Sequence, residues 1–207
     1  MFTGHYSASF AGKAVERSIP LWVLFVAVQF LDFCWAVLVL AGVEKVRVVP
    51  GFMAASALDL YYMPYTHSLA GAVVLSAVFA LVFRAIWKSS WKAALIVGAA
   101  VFSHWVLDLL VHAPDLLIYG NVKAGFGLWN YFWPELALEL VLIVGTMLWY
   151  QRGVASKRVW VLLPVFLVFQ AIDKFGPPPG SVPQAALSAL AAYIVLAAVA
   201  AWVDWAK

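Results

Sequence analysis

Residues 93–111 form an apolar run long enough to cross a bilayer, yet the second half of that run reads Ser103-His-Trp-Val-Leu-Asp-Leu-Leu-Val-His112. His104, Asp108 and His112 recur at i, i+4 and i+8. On a helix this puts the three side chains within an arc of about 80° on one face. A carboxylate at mid-membrane costs about 2.5–3.5 kcal/mol on insertion scales, so something must offset it. Imidazole and carboxylate one turn apart is how a helix offers two ligands to one metal ion. The bland alternative is a polar pair hydrogen-bonded inside a helix bundle.

The rest of the chain repeats the pattern of apolar runs broken by short basic loops. Only 11% of the residues are charged and 66% are hydrophobic, where a soluble domain carries about 25% charge. An all-α integral membrane protein follows, with one helical domain over 1–207. Its expected spans are 19–41, 67–83, 93–111, 133–150, 159–172 and 185–202. The first run is too long for a signal-peptide core and no small-x-small cleavage site follows it, so it reads as a retained helix. Residues 42–66 and 114–132 read as polar loops, with Pro50-Gly51 as a turn signal. Pro114 ends the third span, because proline disfavours helix in the residue before it. The last span carries no acidic, basic or histidine residue and reads as a packing or lipid-facing helix. Scattered basic residues without a basic stripe argue against nucleic acid. Cys34 is the only cysteine, which excludes an intrachain disulfide.

Alternating the loops between two sides puts Lys13, Arg17, Arg84, Lys88, Lys92, Arg152, Lys157, Arg158 and Lys207 on one and Lys45, Arg47, Lys123 and Lys174 on the other. The positive-inside rule then places both termini in the cytoplasm. With that topology Asp32, His67, His104, Asp108, His112, Glu135 and Glu139 fall in one depth band, the outer half of the bundle. His5 joins them if residues 1–18 form a re-entrant half-helix marked at the inner interface by Lys13 and Arg17. Residues 2–12 lack charge apart from His5, and about 12 Å of helical rise carries that histidine inward. This divides the domain into the re-entrant segment 1–18, a metal-site core over about 19–150 and two supporting spans over 151–207.

Gly4-His5, Leu31-Asp32, Leu58-Asp59, Tyr65-Thr-His-Ser-Leu69, His104-x-x-x-Asp108-x-x-x-His112, Gly127-Leu-Trp-Asn130 and Leu136-Ala-Leu-Glu139-Leu resemble the YdjM-like family of bacterial inner-membrane metal-dependent hydrolases. The resemblance covers about residues 1–145; the last two spans match only as apolar helices. That family is distantly similar to zinc-dependent phospholipase C and P1-type nuclease. The resemblance implies that Asp32, His67, His104 and Asp108 hold one zinc and that Asp108 and His5 begin a second site. The larger group's N-terminal Trp ligand is replaced by Met1-Phe2, and for a third site only His112 with Glu135 or Glu139 is available.

The expected function is hydrolysis of a phosphoester or ester in a lipid or lipid-linked substrate at the outer leaflet. A divalent metal, expected to be zinc, would be held by Asp32, His67, His104, Asp108, His5 and His112, with Asp59 or Glu139 taking a proton from water. Two other classes stay open. A metal or proton transporter needs a polar path to both faces. An accessory subunit of a larger membrane complex needs a filled, metal-free cluster and a broad apolar contact face.

Overall fold

The computed structural model describes residues 1–154 and 156–205; Lys207, one of the basic residues assigned to the cytoplasmic side, lies outside them. The chain is mostly helical. A 3-10 turn, Thr3–His5, opens α1, Tyr6–Val15. Next come α2, Leu21–Val28, and α3, Phe30–Leu40. Further along are α4, Leu69–Trp87, α5, Trp91–Val111, α6, Phe132–Gln151, α7, Leu162–Phe175, and α8, Val182–Trp205. Among the described residues four helices (α4, α5, α6 and α8) are long and apolar enough to cross a membrane, or five if α2 and α3 count as one bent span. α7 has 14 residues. At about 1.5 Å per residue it reaches roughly 21 Å, short of the roughly 30 Å hydrocarbon core.

Two local departures from the sequence reading matter for the site. The run 19–41 is not one straight helix: it bends by 50° between α2 and α3, at Gln29. The Gln29 amide donates to the Phe2 carbonyl, 3.3 Å away. The polar loops are also structured. β1, Lys45–Met53, and β2, Ser56–Tyr62, form an antiparallel hairpin, and β3, Leu116–Tyr119, pairs with β4, Val122–Ala124. The β1–β2 reversal falls at Ala54-Ala55, not at Pro50-Gly51. Gly51 instead sits inside β1 with φ +78°, where the register shifts, as a bulge does.

Capping fixes the helix starts. The Ser68 and Ser90 hydroxyls accept from the Gly71 and Ala93 amides at the starts of α4 and α5. α5 stops at Val111, two residues before Ala113-Pro114. α4 and α5 approach closely at Gly98, where a Cβ would sit 3.1 Å from the Ala80 Cβ; small residues serve this way between membrane helices.

The core explains where α1 lies. Tyr6, Phe10, Phe25 and Phe166 pack together and are fully buried, so α1 is enclosed by its neighbours rather than lying on a surface. Lys13, expected at an interface, is itself buried: its ammonium donates to the Ile19 carbonyl at 2.6 Å and to Asp204 at 3.1 Å. Near it, Lys92 pairs with Glu16 at 3.0 Å and Arg17 packs on Gly153. The two hairpins instead touch each other, Lys123 donating to the Tyr61 carbonyl. On the outside of α4, Val73, Val74, Val78, Leu81, Val82 and Ile86 are exposed, a continuous apolar face suited to lipid.

Candidate metal centre

Four backbone features bring the polar residues together. α5 sets His104 and Asp108 one turn apart on its buried face, and its end at Val111 turns His112 back toward them. The bend at Gln29 places Asp32 in the first turn of α3. His67 lies just before the Ser68 cap of α4. His5 ends the 3-10 turn that opens α1.

The resulting distances centre on two carboxylates. Asp108 Oδ2 lies 3.0 Å from His104 Nε2 and 3.6 Å from both His67 Nε2 and His112 Nε2; its Oδ1 lies 3.1 Å from His5 Nε2. Asp32 Oδ1 lies 3.2 Å from His67 Nε2 and 3.4 Å from His104 Nε2. The α-amino group of Met1 lies 3.1 Å from Asp108 Oδ1. All four histidines and Asp108 are buried. His5, His104 and Asp108 form one set of close ligand atoms, and Asp32, His67 and His104 a second.

The protons on these rings can be assigned from their other nitrogens. His104 Nδ1 is 2.7 Å from the Val28 carbonyl. A carbonyl only accepts, so Nδ1 carries the proton. Val28 is the last residue of α2, and a helix end leaves its carbonyls in need of donors. His67 Nδ1 is 2.8 Å from Thr66 Oγ1, whose own hydroxyl donates to Glu44 at 2.6 Å. The Thr66 oxygen therefore accepts from His67 Nδ1–H. Glu44 also accepts from the Tyr65 and Thr66 amides. His112 Nδ1 is 2.9 Å from Asp115 Oδ1. Three imidazoles thus give away their Nδ1 protons and, when neutral, turn Nε2 lone pairs toward carboxylates.

A lone pair facing a carboxylate is repelled unless something positive lies between them. Imidazolium on one ring would serve, as does the Met1 ammonium beside Asp108 Oδ1, but two details speak against protonating every ring. His104 Nε2 and both ring nitrogens of His5 make no hydrogen bond despite full burial. Moreover, the His5 and His104 rings stack at 3.8 Å with a 5° interplanar angle, where two cations would repel. The donor set fits a divalent metal ion. Zinc bonds of about 2.0–2.2 Å in tetrahedral geometry separate ligand atoms by roughly 3.3–3.6 Å, close to the separations around Asp32 Oδ1. Nδ1 partners such as Val28, Thr66 and Asp115 are the usual means of orienting imidazole ligands.

Not every candidate from the sequence reaches this cluster. Asp59 pairs with Arg47 at 2.6 Å. Its neighbours Leu58 and Leu60 line the cavity beside the cluster while Asp59 does not, so it lies on the opposite face of β2. Glu139 is buried, but it accepts from the Phe2 amide at 3.3 Å, the Thr3 hydroxyl at 3.0 Å and the Gly4 amide at 2.7 Å. It anchors the turn that carries His5. Gly4 suits that turn because a Cβ there would collide with the Met1 side chain and lie 3.2 Å from Glu139. The same Thr3 hydroxyl lies 2.5 Å from the side-chain amide of Gln170, which ties the turn to α7 as well. Glu135 and Glu139 share Lys174 at 3.0 and 3.5 Å.

Sequence reasoning missed Glu44, Thr66 and Tyr193, and read Asp115, which meets His112 Nδ1, as loop. Tyr193 Oη donates to Asp32 Oδ2 at 2.6 Å. Thr66 had a signal, its place beside His67. Glu44 and Tyr193 had none in their local sequence.

A cavity of about 930 Å³ opens onto the cluster. Asp32, His67, Asp108 and His112 line one part of it, and Trp35, Leu58, Leu60, Phe169 and Ile172 supply apolar walls. The chain matches no family model, no curated protein and no solved structure.

Proposed function

We propose that the protein is a membrane-embedded metal-dependent hydrolase acting on an ester or phosphoester of a lipid or lipid-linked substrate, as its resemblance to the YdjM-like hydrolases implies. One observation carries the reading: buried imidazoles whose Nδ1 protons are committed elsewhere converge through Nε2 on two carboxylates at the wall of a cavity with apolar sides. Asp32, His67, His104 and Asp108 would hold the first ion, with His5 and His112 beside Asp108 extending the set; the donor types favour zinc. Such an ion supplies Lewis acidity to the ester oxygen and to a water.

The protein's own share is positioning. The apolar walls take the hydrocarbon part of the substrate and exclude water from it. The reaction adds water across the ester bond, so one water proton must be taken up and the leaving oxygen protonated. Asp59 is paired with Arg47 and Glu139 with the 2–4 turn; of the carboxylates that line the cavity, Asp32 and Asp108 would hold the ion, which leaves Asp173, ion-paired with Lys174, for that traffic. The alternative as a transporter has less support, because Tyr6, Phe10, Phe25 and Phe166 pack together on one side of the cluster.

The proposal places the protein in a bacterial inner membrane with both termini cytoplasmic, the cavity toward the outer leaflet, and α7 with its preceding turn as a sixth, short crossing. In a Cys34→Ser background, Ser56→Cys should then react with an impermeant thiol reagent on intact cells and Ser89→Cys should not. For the activity, purified protein loaded with Zn²⁺ should hydrolyse members of a panel of fluorogenic esters and phosphodiesters in mixed micelles, and His104→Ala should not. Equal turnover by wild type and His104→Ala would reject the reading.

A further inference from the structure

We infer that Tyr193 is a positioning residue of the metal centre: its hydroxyl fixes the Asp32 carboxylate so that only Oδ1 is offered to the cation. The inference rests on the metal-site reading above but reaches a helix, α8, that neither the charge pattern nor the family resemblance connects to the site.

Asp32 divides its two oxygens. Oδ1 faces His67 Nε2 and His104 Nε2, while Oδ2 accepts from Tyr193 Oη at 2.6 Å. That is the short range typical of a hydroxyl donating to an ionised carboxylate. The terminal torsion of an aspartate is broad and two-fold, and Asp32 stands on the cavity wall with its side chain 17% exposed, against 2% for Asp108. Of these two carboxylates Asp32 therefore has more freedom to turn, and the Tyr193 bond removes it. The Tyr193 ring is itself held: it is 6% exposed and packs against Phe33 edge-on at 5.5 Å and against Phe2 at 6.1 Å. Elsewhere along the cavity α8 presents mainly alanines, Ala185, Ala189 and Ala192.

Outer partners of this kind are worth about 10–100-fold in metal affinity. The test is titration of metal-free protein in detergent with Co²⁺, followed by its visible absorption, and with Zn²⁺ in competition. Tyr193→Phe keeps the ring and its contacts with Phe2 and Phe33. It should weaken affinity by about 10–100-fold and alter the Co²⁺ spectrum, while the metal-free protein melts as wild type does. In an Asp32→Asn background the same substitution should cost nothing further, because the bond it removes no longer orients a ligand. Unchanged affinity in Tyr193→Phe overturns the inference, as does an equal loss in both backgrounds. Failure of metal-free Tyr193→Phe to fold would assign the hydroxyl to folding and overturn it as well. Absence of saturable binding in wild type would reject the metal reading itself, which distinguishes the two failures.

Discussion

Two buried ionic clusters lie within this bundle, and they are built on opposite principles. Around α6 and α7, Lys174 stands 3.0 Å from Glu135, 3.5 Å from Glu139 and 3.1 Å from Asp173. A fixed ammonium sits among carboxylates, and the group serves the fold by holding the turn that carries His5. Around α5, Asp32 and Asp108 face imidazole nitrogens instead of a lysine, and most of those rings have their one certain proton pointing away. The first cluster carries its cation in the chain. The second has one chain cation, the Met1 ammonium on Asp108 Oδ1, and otherwise groups His and Asp atoms that could hold a metal ion. The difference shows why counting buried charges does not locate a site, whereas tracing each proton does.

The largest effect that separates the clusters is expected at Lys174. Lys174→Met leaves Glu135 and Glu139 buried without their ammonium, and breaking such a pair costs about 3–5 kcal/mol. Thermal unfolding should report it with metal present or absent. A near-neutral result would remove the structural role of that cluster. Next comes metal withdrawal. A ligand held at 100–1,000 times its dissociation constant stabilises by about 2.7–4.1 kcal/mol, so a chelator should lower the wild-type melting temperature and leave that of His104→Ala unmoved. A smaller change is expected from Glu44→Gln, which weakens the Thr66–His67 chain. Metal affinity should fall by about 10–100-fold, or roughly 1.4–2.7 kcal/mol, and isothermal titration would detect it. The smallest is Asp59→Asn. Its partner Arg47 is 63% exposed, and such surface pairs are worth about 0.2–1 kcal/mol. Metal affinity should not change; a large loss would return Asp59 to the site.

What the sequence discloses follows from the cost of charge in an apolar helix. His104 and Asp108 are legible because helical period alone puts them on one face, and His112 joins them across the helix end at Val111. Asp32 and His67 are grouped with them in the sequence by an expected depth in a membrane, and the structure brings both beside His104. Tyr193 and Glu44 are not legible, because their partners are set by tertiary packing: 161 residues separate Tyr193 from Asp32, and 22 separate Glu44 from Thr66. The bend at Gln29 has no proline or glycine to announce it, yet it places Asp32 and exposes the Val28 carbonyl to His104. The β1–β2 hairpin is hidden by Pro50-Gly51, which looks like a turn and serves as a bulge. Asp59 is misplaced for a related reason: in a strand, alternate residues face opposite sides, and a one-residue step separates the cavity wall from the outside.

Metal content tests the central claim most directly. Protein purified without chelator and analysed by elemental mass spectrometry should hold at least about one equivalent of a divalent transition metal, with zinc foremost, and His104→Ala should hold none above background. Metal-free wild-type protein that also fails to take up Zn²⁺ or Co²⁺ on titration would contradict the account.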